Sequence, residues 1–299
     1  MSLVVDSRPS VAAAAAEIPR SRVRGAGLLG AGAVVFLAQA CDLAAGLAAA
    51  ALTGRYLGAQ GLGELSLLLA VFLAANTVAD LGASALLTRE VAKEPAAARP
   101  RLRTHLQLKL VTLGLLCFLL LSIFSWSQAG PLGAVAMGIP FLIFSSLNIS
   151  LAAALRGIGR VSPLLSSSFP AAVGQTLAAF LLLRQGRGLP ALFLVMGAAQ
   201  AVKLLFLSAC FLRGTTGASG EARGGVARLF HSALPFAGVV VLGTAYLKLD
   251  VLLLSALAGA VETGFFGAAA RFIELLKLLP GAFLAALYPE LVRREGEHR

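Results

Sequence analysis

Charge is scarce: Asp, Glu, Lys and Arg make up 13% of the 299 residues, against a hydrophobic share of 58%. An ordinary soluble domain carries about 25% charged residues, and a soluble protein of this length could not cover its surface with so few. Lipid is the solvent that removes the contradiction. Cysteine is sparse too. Cys41, Cys117 and Cys210 fall inside apolar segments without metal-type spacing, which argues against a disulfide framework or a zinc site. The histidines, His105, His231 and His298, lie scattered beside basic clusters and are expected at interfaces rather than in catalysis. There is no Walker motif, Gly-rich nucleotide loop or HExxH, so ATP hydrolysis and zinc proteolysis lack support. Two-residue alternation is missing as well, which excludes a strand barrel. No segment outside the apolar runs is large enough for an enzyme domain, and neither enzymatic activity nor a cofactor is expected.

What the chain does have is long apolar runs, at 25–52, 62–86, 106–126, 131–155, 161–183, 189–212, 233–257 and 265–288. Each covers the roughly 20 helical residues needed to cross a bilayer core of about 30 Å. The expected fold is an all-α polytopic membrane protein with about eight transmembrane helices. The first run follows Arg20, Arg22 and Arg24 and resembles a signal peptide. It is too long for a signal's apolar region, and many similar runs follow, so an uncleaved first helix is expected.

The net charge of +11 lies in short blocks between apolar runs, which disfavours nucleic-acid binding and suits a membrane orientation signal. Of the Lys and Arg residues, eighteen fall on the side of the two termini and three (Arg55, Arg184, Arg187) on the other. Both termini are therefore expected in the cytoplasm, with the chain multi-pass in the bacterial inner membrane. The organisation follows: a cytoplasmic tail at 1–24, a six-helix lobe at 25–212, a linker at 213–232, a helical hairpin at 233–288 and a cytoplasmic tail at 289–299. The linker holds the flexible stretch Gly214-Thr-Thr-Gly-Ala-Ser-Gly-Glu221.

A charge deep in lipid costs at least about 2.5 kcal/mol on insertion scales, so each needs a reason. Lys248 and Asp250 lie in the seventh run, and Arg271, Glu274 and Lys277 in the eighth. Counted from a turn near Ala260, the two groups reach similar depth at about 1.5 Å per residue. Two readings remain open: an ion network locking the hairpin, or the lining of a polar cavity that handles substrate. Asp42 in the first run is a partner for cations or a proton-titrating group. Asp80 in the second lies near Arg89 and is expected to snorkel or cap. Lys203 can snorkel or touch substrate, and Arg55 beside Tyr56 is an anion contact or an interfacial anchor.

An internal repeat is weakly visible. Leu57–Leu65 lies over Ala258–Phe266 without a gap, matching Gly58 to Gly259 and Gly63 to Gly264. Both stretches form the external turn of a hairpin, and six runs separate the hairpins. That is the pattern of a parallel repeat, in which this chain supplies one six-helix lobe and the first two helices of another.

The N-terminal stretch Gly54-Arg55-Tyr56-Leu57-Gly58-Ala59-Gln60-Gly61-Leu62-Gly63-Glu64-Leu65, with Asp80-Leu81-Gly82-Ala83 and Leu87-Thr88-Arg89-Glu90-Val91-Ala92, carries a resemblance. So do Tyr246 to Leu254 with Lys248 and Asp250, Glu262 to Phe272, Leu279-Pro280 and Tyr288-Pro289-Glu290. Over residues 25–292 the chain resembles the polysaccharide or oligosaccharide flippase family of the multidrug/oligosaccharidyl-lipid/polysaccharide exporter superfamily. The resemblance implies twelve or fourteen helices in two bundles around a central cavity. It also implies movement of an isoprenoid-linked glycan across the membrane by alternating access, with H+ or Na+ as coupling ion. Arg55, Lys248 and Arg271 would then recognise anions, with Lys277 beside them as a further substrate-binding candidate. Asp42, Asp250 and Glu274 would pair with cations or titrate, and Asp80 and Arg89 would serve structure or conformational change. Membrane lipid is an expected partner, as are glycan polymerase components or a polypeptide supplying further helices, because the chain is expected to be shortened after its eighth helix. The rivals are a cation-coupled multidrug efflux protein of the same superfamily and a non-transporting scaffold for glycan assembly.

Overall fold

The computed structural model describes residues 25–127, 132–215 and 226–276. Among them there is no strand. The helices are α1 (Gly25–Asp80), α2 (Ala83–Lys93), α3 (Ala98–Ser127), α4 (Leu132–Gly157), α5 (Ser162–Arg184), α6 (Leu189–Gly214), α7 (Val226–Leu257) and α8 (Ala260–Leu276), with a 3-10 turn at Pro95–Ala97 before α3. The protein is an all-α polytopic membrane protein. Among the described residues, five helical stretches, Gly30–Asp80, Pro95–Trp126, Gly133–Gly157, Ser162–Arg184 and Leu189–Gly214, are long and apolar enough to cross a membrane.

The 56 residues of α1 amount to about 84 Å of helix, far more than one bilayer crossing. Gly58 divides them into two arms. Its φ of 72° and ψ of −169° fall in a region open essentially to glycine alone. Gly259, its partner in the repeat, has φ 91° and stands between α7 and α8.

Two features differ from the sequence expectation. The second arm ends at Asp80, where Leu81 and Gly82 both take positive φ. The expected loop beyond it is the short helix α2, which buries Leu87 and Val91 and leaves Arg89 and Lys93 exposed. Then α3 begins at Ala98, well before the apolar run at 106, so Arg99, Arg101, Arg103 and His105 are helical rather than loop residues. Arg99 donates to Thr215 Oγ1 (2.7 Å) and to the Leu212 carbonyl (2.8 Å), satisfying acceptors at the end of α6.

Packing inside the bundle uses two apolar clusters. One gathers Leu65, Leu68, Phe72, Leu142, Leu192 and Phe193, with the Phe72 and Phe193 rings edge to face at 5.5 Å. The other joins Leu87 and Val91 of α2 to Leu102, Leu151, Leu155 and Phe211. Large apolar side chains also point outward, Trp126 being 91% exposed with Val111, Leu115 and Phe118 on the same helix. Outward apolar faces are costly in water and at rest in lipid.

The second arm of α1 crosses α8 at close range. A Cβ on Gly63 would overlap the Ala260 carbonyl, and one on Gly264 would overlap the Ala59 carbonyl. The two contacts exchange under the 201-residue offset that aligns the repeat, since Ala59 maps to Ala260 and Gly63 to Gly264. A reciprocal contact of this kind is what a two-fold relation between equivalent segments produces. Small residues let membrane helices approach this closely.

Candidate functional site

A cavity of about 340 Å³ lies between α7–α8 and the helices before them. Both arms of α1 line it, together with α4, α5, α6, α7 and α8. Two charged clusters face this one space. In the first, the Lys203 ammonium on α6 reaches both carboxylate oxygens of Asp42 on the first arm of α1, at 2.9 and 2.8 Å. Ser168 Oγ of α5 adds a longer bond to Asp42 at 3.4 Å. The Lys203 side chain is 11% exposed and that of Asp42 47%, so the carboxylate keeps a face open to the cavity while its cation is enclosed.

In the second cluster Glu274 bridges two cations. Its Oε1 accepts from Lys248 Nζ across the hairpin at 3.3 Å, and its Oε2 from Arg271 one turn earlier at 2.9 Å. Among the described residues the cavity thus holds three cations against two carboxylates, one positive charge in excess. Amide and hydroxyl groups fill the interval: Asn76, Ser145, Gln175 and Gln200 line the same space. Asn76 Nδ2 donates to Ser145 Oγ at 3.1 Å, while its buried Oδ1 has no hydrogen-bond partner among the described residues.

The remaining sequence candidates are placed elsewhere. Asp250 is exposed and accepts from the Val251 N–H at 2.7 Å; it does not join the hairpin's ion cluster. Two positions separate it from Lys248, about 200° around a helix, so the two side chains leave opposite faces. Arg55 is exposed beside the Gly58 break and is not part of the cavity wall. Lys277 lies outside the described residues.

Asp80 belongs to a different buried site. Its Oδ1 accepts from Lys109 Nζ at 2.7 Å and from Ser84 Oγ, and its Oδ2 from the Ser84 N–H at 3.2 Å. It therefore opens α2 and pairs with a lysine about three turns into α3, whose side chain is 1% exposed. His105, expected at an interface, is buried one turn before Lys109 and bonds to Ser150 Oγ at 3.0 Å. His298 lies outside the described residues. Arg89 is exposed on α2. The three cysteines are free.

The amide lining and the Asp80–Lys109 pair lie outside the candidates drawn from the sequence. The amides had a signal, since Asn76, Gln175 and Gln200 all interrupt apolar runs. Lys109 had one too, because it lies inside the third run rather than before it.

A charged and amide-lined hollow enclosed by membrane helices is the property that comparison with known families can interpret. The model of the polysaccharide biosynthesis protein family matches residues 30–294. The chain belongs to that family. Comparison with curated proteins and with solved structures returned no match. Family membership covers α1 to α8 and therefore every wall of the cavity, so the two charged clusters lie within the family's own fold. The polysaccharide biosynthesis family and the long apolar helices together make this a multi-pass membrane protein.

Proposed function

We propose that the chain moves a lipid-linked oligosaccharide or polysaccharide precursor across the inner membrane by alternating access, with both termini in the cytoplasm. The observation that carries the reading is the convergence of Lys203, Lys248 and Arg271 on one cavity that also presents Asn76, Gln175 and Gln200. Cations and amide groups together suit a ligand that is both anionic and rich in hydroxyls. A phosphorylated glycan has that chemistry. Lipid-facing helices let its hydrocarbon chain stay in the bilayer while the cavity shields its polar part, and no covalent step is needed.

In this reading Lys248 and Arg271 meet the anionic group, displacing part of their bonding to Glu274. Asp42 and Glu274 hold the cations in place and exchange charge with H+ or Na+. Residues 25–212 form one lobe, and the hairpin that begins at 233 belongs to a second. The excess of cations disfavours an organic-cation exporter, whose cavity would need the opposite sign.

Expression in cells lacking their own flippase, with outer-leaflet exposure of the lipid-linked glycan as readout, tests the proposal. Restored exposure supports it. Correctly inserted, folded protein that restores none, across several glycans, favours a scaffold in glycan assembly.

A further inference from the structure

A second hollow of about 370 Å³ runs between α5 and α6. It spans Ser166 to Ala178 on α5 and Val195 to Phe206 on α6, about 18 Å along the helices and more than half the hydrocarbon thickness. Its walls are mainly small or apolar: Pro170, Gly174, Ala198, Val202 and Phe206 among them. Val202 and Phe206 are exposed, so the hollow opens away from the bundle, towards lipid.

Four residues, Ala171, Gln175, Ala199 and Lys203, line both this groove and the charged cavity. They form the partition between the two. Alanines at its centre keep it thin. The other two are polar: Gln175 is 7% exposed, and no hydrogen bond to its side chain occurs among the described residues. Lys203 is held from the cavity side, among the described residues, by Asp42 alone. The Gln175 amide is therefore open to a ligand, and it stands beside an ammonium at the junction of an apolar groove and a polar chamber.

Resting on the transport reading above, we propose that the α5–α6 groove holds the polyprenyl chain of the substrate, with Lys203 and Gln175 binding the phosphate at its neck. An ammonium and an amide N–H are both donors to phosphoryl oxygen. A lipid whose head occupies the cavity must carry its chain out through a wall, and this partition is one that both spaces share. Walls of Ala, Gly and Ser leave room for the methyl branches of a polyprenyl chain, which a straight acyl chain lacks. Lys203 can exchange Asp42 for phosphate without crossing the bundle.

The test is photo-crosslinking of the full chain in phosphatidylcholine vesicles doped with polyprenyl phosphate. p-Benzoylphenylalanine replaces Phe206, in the groove, or as control Leu205, exposed on the same helix and outside it. Polyprenyl adducts at 206 are expected at least about fivefold enriched over those at 205. Lys203→Gln should bring the two positions level, and Lys203→Arg should keep the enrichment, which shows that the helix remains folded. Equal labelling at both positions, phosphatidylcholine adducts dominating at 206, or enrichment that survives Lys203→Gln would each overturn the proposal. Glycan-lipid movement measured on the same vesicles separates the two ideas. Labelling without movement upholds the groove and counts against transport, while movement without labelling does the reverse.

Discussion

Gly63 and Gly264 meet backbone to backbone where the second arm of α1 crosses α8: a Cβ on Gly264 would stand 3.1 Å from the Gly63 nitrogen. This contact sets one wall of the cavity, because Ser66 on the one helix and Gly267, Arg271 and Glu274 on the other follow from it. The crossing holds Glu274 within reach of Lys248 and in view of Asp42.

Adding a methyl group at the crossing should therefore separate the helices. Gly264→Ala is expected to destabilise the protein by about 1–3 kcal/mol, as overpacking does, and to lower the thermal unfolding midpoint in detergent. Gly114→Ala is the control, since a Cβ there meets nothing within 4 Å; helix propensity should leave it unchanged or slightly more stable. Equal midpoints for the two variants would show that the close crossing does not contribute to stability.

Asp80 and Lys109 form a pair buried away from the cavity, and its loss should affect stability rather than transport. Asp80→Asn leaves Lys109 buried without a counter-charge, a change that costs about 3–5 kcal/mol in buried pairs. Combining it with Lys109→Met should recover much of that loss, because the partnerless cation is gone. A double variant no more stable than the single, measured by thermal unfolding, would mean that the capping bonds to Ser84 matter more than the charge pair.

How much of this was legible beforehand depends on the kind of interaction. Apolar run lengths report bilayer thickness directly, so the helical class and the long segments could be read from composition and spacing. The Lys248–Glu274 contact could also be anticipated, since distance from a turn fixes depth in a hairpin. Asp250 could not be placed that way. Depth is shared by residues on opposite faces, and rotation about the helix decides which one meets the partner. The Asp42–Lys203 contact joins α1 to α6 through tertiary packing, for which a single sequence offers no ruler. Basic residues usually mark helix ends, whereas here the partner Asp80 draws Lys109 inside.

Lys203 and Asp42 should depend on each other unequally. Asp42→Asn strands an enclosed ammonium, while Lys203→Gln strands a carboxylate that already faces the open cavity. Asp42→Asn is expected to be the more destabilising, though below the range for fully buried pairs because its carboxylate is half exposed. A double-mutant cycle read by thermal unfolding checks this, and additive effects would show that the two residues do not interact in the membrane.

Glu274→Gln removes one of the two carboxylates that balance the cavity cations. Binding of a polyprenyl pyrophosphate should tighten several-fold and become more sensitive to salt, as unpaired Lys248 and Arg271 turn to the ligand. Titration at low and high ionic strength distinguishes the outcomes. Weaker binding at both would indicate that Glu274 orients the cations and that its charge is secondary.

The most direct measurement is the rate at which the reconstituted 299-residue chain moves a polyprenyl-pyrophosphate-linked oligosaccharide between vesicle leaflets, beside a Lys248→Ala/Arg271→Ala variant inserted to the same level. Movement by the wild-type chain is expected, with at least about a tenfold lower rate for the variant, corresponding to about 1.4 kcal/mol or more in the barrier. Equal rates in the two proteins would contradict this expectation, because the cationic cavity would then have no part in carrying the glycan across.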